Sequence, residues 1–164
     1  MVRCLVIVSM VAVSAAIFAL PAAADKPTKY EYPLHLSGVI TNVCSFPINV
    51  DTPFSVTEID FVDASGALTK VVLHLAVQDT YTANGKTLVG MPFTWNREIF
   101  FDSSGNVTRD FSTGIVAKVQ LPDGSLFISA GWYDFLAHPG DGAYLSPDKG
   151  NPGNIAGFCA ALAP

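Results

Sequence analysis

Basic residues are scarce in this chain and nowhere run together. Nine Lys and Arg stand against fourteen Asp and Glu over 164 residues, a formal net charge of −5. Nucleic acid demands Lys and Arg for its phosphates, so none is expected as a partner, and the chain is equally ill suited to adhere to an anionic lipid surface. Histidine is as sparse. His35, His74 and His138 fall in separate segments, with neither His-x-His nor His-x-x-x-His spacing, so no zinc site is expected. His74 and His138 read as ordinary surface residues. There is no Gly-x-Ser-x-Gly elbow, no phosphate-binding loop and no Gly-x-Gly-x-x-Gly. Asp102-Ser103-Ser104-Gly105-Asn106 has the opening of a calcium loop without its remaining ligands and reads as a turn. No cofactor is expected.

Long apolar runs are equally few. The one present, Leu5 to Leu20, follows Arg3, stops at Pro21 and gives way to Ala22-Ala23-Ala24. A basic start, an apolar stretch and a small-residue cleavage site form a secretory signal, and the run is short of the roughly 18 apolar residues that a membrane span needs. The expected organisation is a signal peptide over 1–24 and one secreted domain over 25–164, extracellular or periplasmic according to source, with no membrane anchor after cleavage. Cleavage removes one cation, Arg3, and no acid. Two cysteines then remain, Cys44 and Cys159. Outside the reducing cytoplasm an even pair without metal-ligand neighbours is expected to form a disulfide.

The middle of the chain has a regular pattern. Four turn signals recur at nearly even spacing: Asp63-Ala64-Ser65-Gly66, Thr82-Ala83-Asn84-Gly85, Asp102-Ser103-Ser104-Gly105 and Leu121-Pro122-Asp123-Gly124. Each fits a three-residue hairpin loop, a type I turn closed by a glycine of positive φ. Such loops pair residues of equal parity. Odd positions then form one face: Val71, Leu73, Leu75, Val77, Val89, Met91, Phe93, Trp95, Ile99, Phe101, Phe111, Ile115, Ala117, Val119, Leu121, Phe127, Tyr133 and Phe135. Even positions carry the polar residues, among them Asp60, Lys70, Glu98, Asp110 and Lys118. That alternation predicts an antiparallel up-and-down meander with one buried face. Gly90-Met91-Pro92 and Thr113-Gly114 are expected to bend the long strands.

Upstream, Tyr30–Thr41, Phe46–Val50 and Phe54–Val62 read as strands. Downstream, a turn over 138–142, a short strand over Ala143–Leu145 and a loop over Ser146–Asn154 precede a return to the sheet at Ile155–Cys159. The expectation is an all-β fold of about eight strands closing into a barrel, with a two-sheet β-sandwich as the alternative.

The early Cys44-Ser45-Phe46-Pro47, the Asp/Asn-Gly hairpins and the tail Gly157-Phe158-Cys159-Ala160-Ala161-Leu162 resemble those of small exported bacterial β-proteins of unassigned function. More loosely, from Leu34 to Cys159, the layout is similar to lipocalin-like and allene-oxide-cyclase-like barrels. The likeness is architectural and lacks the lipocalin Gly-x-Trp signature near the first strand, so it implies a barrel and no particular site residue.

Polar residues on the odd face single out a candidate site. A three-residue loop at Ser103-Ser104-Gly105 sets Arg97 opposite Phe111 and Arg109 opposite Ile99, making the two arginines diagonal neighbours. Thr113 then faces Trp95 in one hairpin and Tyr133 in the next. Arg97, Arg109, Trp95, Thr113 and Tyr133 are the candidate ligand-binding residues; the arginines either hold a carboxylate or phosphate, snorkel to water at the sheet end beside the Ser103 turn, or are parted by a local bulge that turns one of them outward. Three readings stand in order: a binder of a small anionic or aromatic molecule, a structural or interaction module without ligand, and a cyclase- or isomerase-like enzyme. The last is placed third because no inward Asp or Glu is expected on the central strands.

Overall fold

A computed structural model describes residues 26–138 and 145–164. The signal segment and most of the expected 138–145 turn and strand lie outside the described residues. The described chain forms β1 (Thr28–Ile40), β2 (Ile48–Val62), β3 (Leu68–Val77), β4 (Thr80–Ala83), β5 (Lys86–Val89), β6 (Phe93–Phe101), β7 (Val107–Gln120), β8 (Leu126–Asp134), β9 (Lys149–Asn151) and one helix, α1 (Ile155–Leu162). All nine strands join one sheet, and every pairing is antiparallel.

The topology is the expected meander. β4 continues β3 along β2 without change of register, since Val77 lies opposite Phe54 and Thr80 opposite Asp51. β5 and β6 return beside β4 and β3 and are separated by Gly90-Met91-Pro92, where a bend was expected. A single bridge, Gly90 to Val119, carries that return strand onto β7.

The sheet does not close. Among the described residues β1 pairs with β2 alone, and the far edge is the three-residue β9. Closure into a barrel is thus corrected to an open, curled sheet. The segment expected to complete it, Ile155–Cys159, is instead part of α1. Asn154 caps that helix by accepting from the Gly157 N–H, and Ala-rich helix formers follow. A five-residue apolar run does not distinguish helix from strand by period, and a cap with eight helical residues decided for helix here. β9 also lies where only a loop was expected.

Helix α1 plugs one end of the curl. Phe158 and Leu162 are fully buried against Ile40, Ile48, Tyr81, Val119 and Phe127. Phe158 stacks on Phe127 at 4.7 Å and meets Tyr81 edge-on at 5.2 Å. Each such side chain contributes roughly 1.5–3 kcal/mol of burial. The Cys44–Cys159 disulfide, with Cα atoms 5.6 Å apart, ties this helix to the loop between β1 and β2.

Three of the four turns have the expected form. Gly66, Gly105 and Gly124 have φ near +80°, and each glycine N–H donates to the carbonyl three residues back. The second differs: Asn84 and Gly85 both have positive φ, and Ala83 pairs directly with Lys86. This is a two-residue type I′ loop, which reverses parity. Leu88 is therefore the buried residue of β5, while Val89 and Met91, expected inward, are exposed.

Two further corrections come from bulges. Phe61 pairs with Lys70 and Val62 with Leu68, leaving Thr69 as an extra residue. Phe100 pairs with Arg109 and Phe101 with Val107, leaving Thr108 extra. In both, the threonine hydroxyl donates across to the opposing carbonyl, of Phe61 and Phe100 respectively. Each extra residue turns the chain beyond it over. Asp60 and Asp110, expected outward, therefore lie on the inner face opposite Val71 and Ile99, and Phe111 lies outside.

Candidate functional site

The inner face has a graded composition. Its rows follow from the register. One row runs Tyr30, Glu58, Leu73, Arg97, Ser112, Tyr133; the next runs Tyr32, Val56, Leu75, Trp95, Gly114, Gly131; a third includes Leu34, Phe54, Val77 and Phe93. Because the curl is open along β1, these rows line a cleft of about 260 Å³. Tyr32, Leu34 and Leu36 stand at its lip and are between 37% and 51% exposed. Trp95, Phe93 and Phe135 form the opposite wall, and Asp79 and Tyr81 lie at the end nearer α1.

Arg97 sits at the other end. Its Nε and Nη2 donate to the two carboxylate oxygens of Asp110 at 2.7 and 2.6 Å, and its guanidinium lies 3.9 Å over the Phe135 ring. A bidentate pair of this kind matches the two charges and occupies both carboxylate oxygens. Beside it, the Tyr32 hydroxyl donates to Glu58 at 2.5 Å, which pushes the Tyr32 pKa up to about 12. Burial, with Glu58 adjoining, raises the Asp60 carboxyl, one of whose oxygens is buried without a hydrogen-bond partner.

Asp79 occupies the short break between β3 and β4 and is 5% exposed. The Tyr81 hydroxyl donates to it at 2.6 Å, and Thr52 also bonds to it. Burial nevertheless outweighs these bonds and holds its carboxyl above the ordinary carboxylate range. The expectation of no inward acid is thus corrected: Glu58, Asp60, Asp79 and Asp110 are all on the inner side.

The expected site residues are split between the two faces. Arg97 and Trp95 line the cleft, and Tyr133 is buried on the same face against Phe135 and His138. Arg109 and Thr113 are on the outer face. Arg97 pairs with Ser112 and not Phe111, Arg109 pairs with Phe100 and not Ile99, and Thr113 pairs with Trp132. The Arg109 guanidinium stacks over Phe100 and Phe111 at 4.9 and 5.1 Å. The bulge at Thr108 separates the two arginines. A signal for it stands in the sequence: Leu68-Thr69-Lys70 and Val107-Thr108-Arg109 occupy matching places after their turns, and both bulge. The corresponding Leu126-Phe127 has no threonine, and its register is unbroken next to the turn, the shift in that hairpin falling further on, between Ile115 and Ala117.

Comparison with known proteins gives no further guide. No family model, curated protein or solved structure matches this chain. Among the described residues no group of three or more His, Cys, Asp or Glu is placed to hold a metal ion, and no helix is long and apolar enough to cross a membrane.

Proposed function

We propose that this is an exported binding protein whose open cleft takes a small apolar or aromatic molecule. The observation that carries the reading is the unfilled inner face: a cleft of about 260 Å³, walled by Trp95, Phe93 and Phe135, with apolar side chains of β1 left exposed at its lip. Ligand sites are concave and mostly apolar with a few polar groups placed at their ends, and this cleft has that composition. The disulfide supports work outside the cytoplasm. The arginine pair once suited to an anion is not available as such, because Arg109 is on the other face and Arg97 is matched by Asp110.

The test is titration with N-phenyl-1-naphthylamine, a neutral fluorescent probe. Saturable enhancement is expected at one site per chain, accompanied by quenching that disappears in Trp95→Phe. Leu34→Lys alters a residue 40% exposed at the lip and should leave the fold intact while weakening the probe roughly tenfold, the worth of about 1.4 kcal/mol. A probe that gains no fluorescence with folded wild type sinks the reading.

A further inference from the structure

Resting on that reading, we propose that the cleft selects ligands that join an apolar or aromatic body to a protonated amine, with Asp79 receiving the amine. The charge arrangement along the cleft carries this. Arg97 is the one cation among the described residues that line it, and its charge is matched by the Asp110 carboxylate on its Nε and Nη2. That end is neutral toward a ligand. Asp79, at the other end, has among the described residues hydroxyl partners only, Tyr81 and Thr52, and no cation bonded to it. A carboxylate so enclosed is short of the one thing that would offset its desolvation, an opposite charge. A protonated amine brought in on an apolar body supplies it. The same enclosure penalises a ligand carboxylate twice, by its own desolvation and by repulsion from Asp79. The remaining inner acids, Glu58 and Asp60, add to the negative sign of the face and leave no second cationic anchor. The ligand class is thus a small aryl- or alkylamine, the reverse in sign of the anion that Arg97 and Arg109 suggest when read from sequence.

The experiment displaces N-phenyl-1-naphthylamine from the intact protein with three matched molecules, 4-phenylbutylamine, 4-phenylbutanol and 4-phenylbutyrate, at pH 7.5. The amine should displace the probe roughly tenfold or more better than the alcohol, in keeping with a charge-assisted hydrogen bond, and the carboxylate should be the weakest. In Asp79→Asn, which keeps the shape of the side chain, probe binding should persist while the advantage of the amine over the alcohol disappears. Probe binding with equal displacement by amine and alcohol, or with the carboxylate strongest, overturns the assignment of Asp79 and leaves the cleft reading standing. An amine preference that survives Asp79→Asn overturns it too. Failure of the probe to bind wild type removes the cleft reading itself, and the two failures are therefore distinct.

Discussion

Replacing Tyr81 by Phe removes one oxygen atom from the interior and nothing else. The ring is 1% exposed and keeps its edge contact with Phe158, so packing is conserved. What is lost is the 2.6 Å bond to Asp79. Hydrogen bonds to a charged group contribute about 1.5–3 kcal/mol, against about 0.5–1.5 kcal/mol for neutral pairs. The cost should therefore follow the ionisation of Asp79. Burial raises this carboxyl, so the folded chain holds its proton more tightly than the unfolded chain, and stability falls as pH rises from the ordinary carboxylate value toward the raised one. The Tyr81 hydroxyl favours the ionised form and limits that fall. Without it the folded pKa climbs further, and the loss grows with pH across the same window. Urea unfolding followed by tryptophan fluorescence should show Tyr81→Phe costing about 1.5–3 kcal/mol at pH 8 and nearer 1 kcal/mol once the pH has fallen below the ordinary carboxylate value, where the acceptor takes up its proton. In an Asp79→Asn background the pH dependence should vanish. An equal loss at both pH values, or strict additivity of the two substitutions, would refute the coupling between them.

Two other outcomes test the frame of the fold. Nonreducing peptide mapping should recover Cys44 linked to Cys159, and replacing both by Ser should cost up to about 4–5 kcal/mol for a loop of this length; free thiols at both positions in protein purified without reductant would contradict the bond. Gly90→Ala should lower stability by about 1–3 kcal/mol, because its Cβ would stand 2.8 Å from the Asp79 carbonyl oxygen and 3.3 Å from that of Lys118, both backbone atoms. An unchanged melting temperature would mean that these strands are not pinched together there.

Strand alternation and turn glycines made the meander legible because both are local: Val71, Leu75 and Val77 point inward by period alone, and Gly66, Gly105 and Gly124 mark their loops. The site was less so, because which face a residue takes depends on every inserted residue between it and the turn. One threonine at 108 moved Arg109 and Phe111 outward and Asp110 inward, and it turned an expected arginine pair into an Arg97–Asp110 pair. One type I′ turn at Asn84-Gly85 exchanged Leu88 for Val89 in the core. Asp79 was hidden for a different reason. It falls in the short break between two strands, and the unbroken continuation of β3 into β4 along β2 keeps it, at the same odd parity as Val77 and Tyr81, on the face that looks into the cleft.

The disulfide spans 115 residues, whereas each long strand pairs mainly with segments that adjoin it in sequence. During folding, the hairpins can zip one after another, each needing only its neighbour. Cys44 cannot close until its partner arrives behind all of them. The covalent lock thus joins parts of the chain that no single hairpin brings together, and it holds α1 against the loop between β1 and β2. A copy cut short before Cys159 keeps Cys44 as an open thiol, so the bond reports that both ends of the domain are present.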